Sequence, residues 1–520
     1  MSLTKASYSM ITGAPVNALD FGVVANGVTD CGAAMQAAFT AAGGKSIVIP
    51  PGSYNINATA LTVPAGTTVF AYGATLTWVA NVVGVTFAPS ATLQSQWFGG
   101  KLVGSGYTPQ TSTCKAMFCE GSVATYSLGP QVQDVEITLW KFYGINFSFT
   151  FGARVLNCNI HAINYAGVAG LSCNNMKVDG NYIGQINAGV GQDAYGCFID
   201  RSEGTLEQYP LSTNCSMSNN IVEDIPNWHG LDTHGGQHFV FEGNIIRNCK
   251  RGINVTSSDN GSNVSIWAPK HCIVSNNTIS CYYTGNAINL NGAFDGSTHV
   301  DYARGCIVEG NTIYGGGELG GGSPYEGAIR LRGTDGCKVS NNILERPAAA
   351  GISIYFDNLG IDVSGNTISN VGDTTNSSVS CISMNGNNNT GFINGNTFNY
   401  DSAWSTYNSV FAFSMSSGRT GCNLTIGPST FIGIDANHLN LSFASPDGVE
   451  ASQAQTESGS TSLSAGFVNI GFKKRFPSTP AVYLTNVGDL NPIRVSSVST
   501  TGCTVTGTGS TSFNWLATTQ

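Results

Sequence analysis

The chain has 520 residues, a net charge of -9 and a pI near 5.2, and only 10% of its residues are Asp, Glu, Lys or Arg, against roughly 25% in an average globular protein. With no cluster of Lys and Arg, this balance argues against a phosphate-binding surface and hence against nucleic acid as a partner. No run of about 18 apolar residues occurs, so no membrane insertion is expected.

Residues 1–60 read as an N-terminal segment with a capping helix. The opening MSLTKASYSM lacks the apolar core of a signal peptide, so synthesis in a cytoplasm is expected. In ALDFGVVANGVTDCGAAMQAAFTAAGGKSIVIPPGSYNI an Ala-rich segment at helical spacing follows Asp30, which reads as its N-cap; a short strand and a Pro-Pro-Gly turn come next. A helix here would close the open end of a stack of strands whose edges otherwise invite aggregation.

Residues 61–445 carry the repeat that organises the chain. VDGNYI, MSNNIV, FEGNII, VSNNTI, VEGNTI, VSNNIL, VSGNTI and INGNTF recur around Asn181, Asn220, Asn244, Asn277, Asn311, Asn342, Asn366 and Asn396, at intervals from 24 to 39 residues. That spacing is one coil of a parallel β-solenoid with loops of varying length, and stacking at about 4.8 Å per coil turns each repeat position into a column. Five residues before the Asn the column reads Met176, Cys215, Phe239, Cys272, Cys306, Cys337, Ile361; three before it, Val178, Met217, Phe241, Val274, Val308, Val339, Val363, Ile393. Both are apolar and point inward. The Asn itself suits a bend, where it tolerates unusual backbone angles and can bond along a ladder, and so shapes the coil rather than the active site. Fifteen cysteines, an odd number without a CxxC pair, are expected as buried free thiols.

Residues 446–520 lose the Asn repeat and take up short alternating strands, the pattern of a separate β-sandwich. The predicted class is therefore all-β, a parallel β-solenoid with a capping helix before it and a sandwich after it.

DFGVVANGVTDCGAAMQAAF followed by IVIPPGSY resembles the N-terminal signature of the pectate-lyase-like right-handed β-helix superfamily, and with KASYSMITGAPVNALDFG as its opening the chain is similar to bacteriophage tailspikes. FKKRFPSTPAVYLTN and FNWLATT are similar to the β-sandwich modules that end phage tail proteins. The resemblance implies a homotrimer on a virion that binds and depolymerises a bacterial capsule or O-antigen. Only about fifteen residues precede the signature, so attachment to the phage tail or an adaptor is expected through this short segment, or else a particle-binding domain has been trimmed away.

The second strand of each coil supplies the chemistry. In GLDTH, Leu231 and Thr233 align with inward positions, so Asp232 and His234 face out, as do Phe198 and Asp200 one coil earlier. Two outward columns result: Phe198, Asp232, Asn254, Asn289, Arg330, Ser353, and beside it Asp200, His234, Thr256, Asn291, Arg332, Tyr355. Such a strip suits several sugar units, with Asn254, Asn289, Asn291, Arg330 and Arg332 binding hydroxyls or carboxylates and Phe198, Trp228 and Tyr355 offering ring faces. Glycoside hydrolysis needs one protonated and one ionised carboxyl, and Asp200 and Asp232 on neighbouring coils are the expected pair, with His234 supporting them. His229 and His238 read as turn or loop residues. Loop acids Glu203 and Glu207 beside Asp200, and Glu318 and Glu326 near Arg330, compete; Glu326 is assigned to the substrate groove. No cofactor or metal is expected.

The rival chemistry is β-elimination from a uronate, with His234 or Tyr355 as base and Arg330, Arg332 or Asn254 neutralising the carboxylate. A spike that adheres without cutting would use the same amides and rings. The sequence contains no GxSxG elbow to support an esterase.

Overall fold

The repeated asparagines stack into one continuous ladder. In the computed structural model, which describes residues 13–187, 193–259, 264–281, 284–296, 298–318, 327–372, 379–399, 410–415, 420–427, 429–432, 449–450, 456–462, 467–471, 479–486, 493–507 and 512–518, the Asn220 amide donates to Asn244 Oδ1 at 3.0 Å and to the Val178 carbonyl at 3.0 Å. The same bonds run from Asn181 through to Asn396. Every one of these side chains is buried. Burial of an amide is tolerated because donors and acceptor are all satisfied along the stack. One expectation is corrected: the left-handed backbone belongs not to the repeated Asn but to the residue before it, for example Asn219 (φ 56), Gly243 (φ 66) and Asn276 (φ 56). That residue makes the corner, which frees the following Asn to turn its side chain into the stack.

The coils form a right-handed parallel β-helix with three ladders. One is a 16-stranded sheet that includes Ser216–Ser218, Val240–Glu242 and Ile273–Ser275. The other two are joined in a 26-stranded sheet, because strands Ile221–His234 and Ile245–Thr256 run through both. The inward columns pair in the expected register, Val178 with Met217 and Met217 with Phe241, and fill one continuous apolar core. All fifteen cysteines are free and buried.

The helix Gly32–Ala42 lies where the sequence places it and buries Met35, Ala38, Phe39 and Ala42. Its N-cap is Cys31, not Asp30; Asp30 stands one residue further out, and its Oδ1 accepts the Gly32 N–H at 2.9 Å. The strand Val16–Asn17 before it already pairs with Ser46–Val48, so the helix is inserted within the first coil. Towards the other end, two three-stranded antiparallel sheets form: Thr456–Ser462 and Ala481–Asn486 flank Ser512–Thr518, and Phe467–Gly471 and Ile493–Ser499 flank Gly502–Gly507. Among the described residues no helix is long and apolar enough to cross a membrane.

Candidate active site

The strand Ile221–His234 carries the site. A register shift between Ile225 and His229 accommodates Pro226, and the strand continues instead of ending there. His229 is therefore not a turn residue: it is buried in the strand, paired with Tyr195 on one side and Arg251 on the other. Glycine lets these coils approach. A Cβ at Gly196 would sit 2.5 Å from the Gly230 carbonyl oxygen and 2.6 Å from Val222 Cγ1.

The first outward column forms in the expected register, Phe198 against Asp232, Asp232 against Asn254, Asn254 against Asn289, Asn289 against Arg330 and Arg330 against Ser353, and in the second His234 pairs with Thr256 and Asn291 with Arg332. Their exposure differs from the expectation of an open strip. Phe198, Asp232, Asn254 and Asn289 point away from the lumen yet are closed off from solvent, with Asp232 at 0%. Phe198 is packed by Tyr143, Tyr165 and Tyr195 into a second, external apolar cluster, so its ring face is not offered to a sugar. The amides bond to one another along the column: Asn254 donates to Asp232 Oδ1 at 2.5 Å and Asn289 donates to Asn254 Oδ1 at 2.7 Å. The neighbouring column stays accessible, with Asp200, His234, Asn291, Arg332 and Tyr355 half-buried, as are Arg330 and Trp228. The aromatic cluster covers the first column at Phe198, and that column meets water only at Arg330, while the second keeps contact with it along its length. Glu326 lies outside the described residues, and His238 occupies a turn with φ 58.

Asp232 is the hub. His229 Nδ1 lies 3.3 Å from its Oδ1 and His234 Nε2 lies 3.1 Å from its Oδ2. Asp200 accepts the His234 backbone N–H at 2.6 Å. Burial alone would raise the Asp232 carboxyl, but His234 and His229 outweigh it and hold the group well below the ordinary carboxylate range. Burial pushes the Asp200 carboxyl up to about 7, against the pull of His234 and with the Asp232 charge adding to the rise. Burial disfavours the charged His234 ring, but Asp232 and Asp200 lift it to about 10. His229 is lowered, chiefly by burial. A neutral His229 protonated on Nδ1 satisfies both neighbours, donating towards Asp232 and presenting Nε2 to Arg251 NH1 at 3.3 Å.

The result is an accessible protonatable carboxyl, Asp200, beside a charged imidazole, His234, that the buried Asp232 carboxylate holds in place. One ligand atom from each of Asp200, Asp232 and His234 lies within 4.8 Å of the others, the one such group among the described residues. A cation there would have to displace the imidazolium from Asp232. Sequence reasoning missed His229, Arg251 and Tyr195; the signal available was the single uninterrupted strand through NWHGLDTH.

Trp228 stacks on His229 with ring centroids 4.8 Å apart, and Lys250 and Arg251 each place a cation 5.0 Å from its ring centre. At the other end of the strip Arg330 lies 5.4 Å and Arg332 5.8 Å from the Tyr355 ring centre.

Solved structures similar in fold include the tailspike protein gp49 from Pseudomonas phage LKA1, with a TM-score of 0.58 and 13% identity over 97% of this chain and 99% of that one. A mutant tailspike protein of E. coli bacteriophage HK620 in complex with a pentasaccharide gives 0.62 and 12% over 99% and 97%. The Agl-KA catalytic domain gives 0.50 and 18% over 79% and 68%. At these identities the likeness is one of fold. No curated protein matches the sequence. The family model for rhamnogalacturonase A/epimerase, pectate lyase-like proteins matches residues 15–280, more than half of the chain, and the protein belongs to that family.

Proposed function

We propose that the protein is a phage tailspike that binds bacterial surface polysaccharide, capsule or O-antigen, and depolymerises it by hydrolysing a glycosidic bond. The observation that carries this reading is the pair of carboxyls whose oxygens lie within 4.8 Å and whose surroundings drive them apart, Asp200 up to about 7 and Asp232 far down. Opposed environments of this kind assign an acid and an anion. Asp200 donates its proton to the leaving sugar oxygen. Asp232, closed off from solvent, acts through His234, holding the ring charged and oriented at the surface. The oxygens are too close to hold a water between the two carboxyls, which takes roughly 6.5–9.5 Å. Asp200, left as a carboxylate once its proton has gone to the leaving sugar oxygen, then takes a proton from the water that attacks the sugar, which regenerates the acid.

The tailspike part of the reading, with a homotrimer on the virion tail, rests on the fold shared with phage tailspikes over nearly the whole chain. Mass spectrometry of the oligosaccharides released from a sensitive polysaccharide, run beside ultraviolet absorbance, tests the chemistry. Hydrolysis gives products heavier by one water with no new absorbance. Elimination gives unsaturated ends that absorb; it is favoured by one arrangement, Tyr355 beside Arg330 and Arg332, which provides a base next to cations for a uronate. His234 is a poor base for that reaction near neutrality, because its neighbours keep it protonated. Intact polymer after prolonged mixing overturns both in favour of an adhesive spike.

A further inference from the structure

A second concave surface lies at the corner between the two ladders that strand Ile221–His234 joins. It is a groove of about 340 Å³, within the roughly 300–1,000 Å³ of small-ligand sites. Four of the residues that line it form one column. Ala162 and Gln185 precede the paired Ile163 and Ile186, and Asp224 and Asn248 precede the paired Ile225 and Cys249. Gly184 and Glu223, also paired, come just before Gln185 and Asp224 and join the two halves of the column. Tyr107 reaches the groove from the chain between Lys101–Val103 and Lys115–Glu120. It is tied there by the Gly106 N–H, which donates to the Leu139 carbonyl at 3.0 Å, and by the Asn164 amide, which donates to the Tyr107 carbonyl at 2.7 Å.

All four column residues take the left-handed backbone, Ala162 at φ 53, Gln185 at 54, Asp224 at 58 and Asn248 at 51. Asn and Asp enter that region readily, whereas Gln is less at ease there than Gly. Among the described residues the exposed Gln185 amide has no hydrogen-bond partner to offset that cost. A polar side chain kept at a strained corner without a structural bond points to a ligand. The Asn248 amide donates to Asp224 Oδ1 at 3.1 Å, which orients the carboxylate and leaves Oδ2 for an incoming donor. Asn187, also on the groove, accepts the Asn227 amide at 3.3 Å and keeps its own N–H groups. Tyr107, Ala162 and Pro226 add apolar surface, and no side chain that lines the groove is cationic. Amides and a carboxylate suit the hydroxyls of a sugar, a ring and a proline suit its C–H face, and the Asp224 charge opposes an anionic one.

We propose that this groove is a saccharide subsite, separate from the outward strip, that takes an uncharged, hydroxyl-rich sugar residue of the polysaccharide. The three residues from Pro226 to His229 span at most roughly 10 Å at about 3.3 Å per residue, so one polymer can reach from the groove to the acid pair. Four steps lead from Ile225 to His229 where two lead from Cys249 to Arg251, and the extra length places Asn227 and Trp228 between the two sites. That the groove serves the polymer that is cut rests on the depolymerase reading; sugar binding itself rests on the groove.

The test is saturation-transfer NMR on the full chain with glucose, galactose, mannose, rhamnose and N-acetylglucosamine, and with glucuronate as the anionic control. At least one uncharged sugar should bind saturably. Gln185→Gly removes the amide where Gly is at ease, so it should weaken that binding by about three- to tenfold without lowering the melting temperature. Asp224→Asn keeps the shape, removes the charge-assisted acceptor and should weaken it likewise. Glucuronate binding should not fall in either variant. No binding of any uncharged sugar by the wild type overturns the proposal, as does binding that both variants leave unchanged. Variant-sensitive sugar binding with no polymer cut keeps the groove and overturns the depolymerase. Cutting at an unchanged KM in both variants, with no uncharged sugar bound, does the reverse.

Discussion

Asp200 and Asp232 are tied together through one residue, His234, whose backbone N–H donates to Asp200 at 2.6 Å and whose Nε2 lies 3.1 Å from Asp232. A change at either carboxylate is therefore felt at the other, and the two should fail differently.

Asp200→Asn removes the proton donor while keeping the size of the side chain. Turnover should fall by about a hundredfold or more, the usual scale for a general acid, with the melting temperature little changed. Asp232→Asn should also abolish turnover but in addition destabilise the fold by about 3 kcal/mol, because it strips a buried partner from a charged His234. Steady-state kinetics beside thermal unfolding separates the two, and full activity of Asp200→Asn would remove the acid assignment.

The proton on Asp200 is present below about 7 and lost above it, so the rate should fall on the alkaline side with that midpoint. Stability follows a different group at the acid end. Asp232 is held below its ordinary value of 3.8, so its contribution is present above that value and is lost as the pH falls further. His234 is raised from 6.5 to about 10, so its contribution is full below 6.5 and disappears as the pH rises through about 10. Asp200, raised from 3.8 to about 7, also enters stability: it favours the fold most below 3.8, and that advantage falls as the pH rises to about 7, so a rate profile without an alkaline limb near 7 would contradict the acid assignment.

Phe198→Ala should behave as a core mutation, costing about 3–5 kcal/mol in chemical denaturation, since the ring is enclosed by three tyrosines. Trp228→Ala should instead raise KM, because the half-buried ring is positioned beside His229 where a sugar face can stack. Reversal of these two effects would mean that the accessible column has been misidentified.

Asn311→Ala interrupts the ladder between Asn277 and Asn342, leaving the Asn277 side-chain amide with only the Phe241 carbonyl as acceptor and Asn342 Oδ1 without the Asn311 donor. A loss of about 2–4 kcal/mol in denaturant unfolding is expected from several buried hydrogen bonds at about 1 kcal/mol each.

An Ellman titration of the native protein should register none of the fifteen thiols, and all fifteen after unfolding without reductant. Disulfides would lower the second number.

The sequence determined the coil. Its Asn repeat, apolar columns and period-two alternation fix which side chains enter the lumen, since stacked parallel strands transmit one residue's register to every neighbour. That register brings Asp200, Asp232 and His234 together on one face. Which outward side chains meet water was decided only by the tertiary structure. Tyr143 and Tyr165 come from earlier coils and join Tyr195 of the same strand in closing over Phe198, and a strand running on past Pro226 carries His229 inward to Asp232. Outward direction is a local property of a strand, whereas burial and charge state depend on what neighbouring coils lay across it.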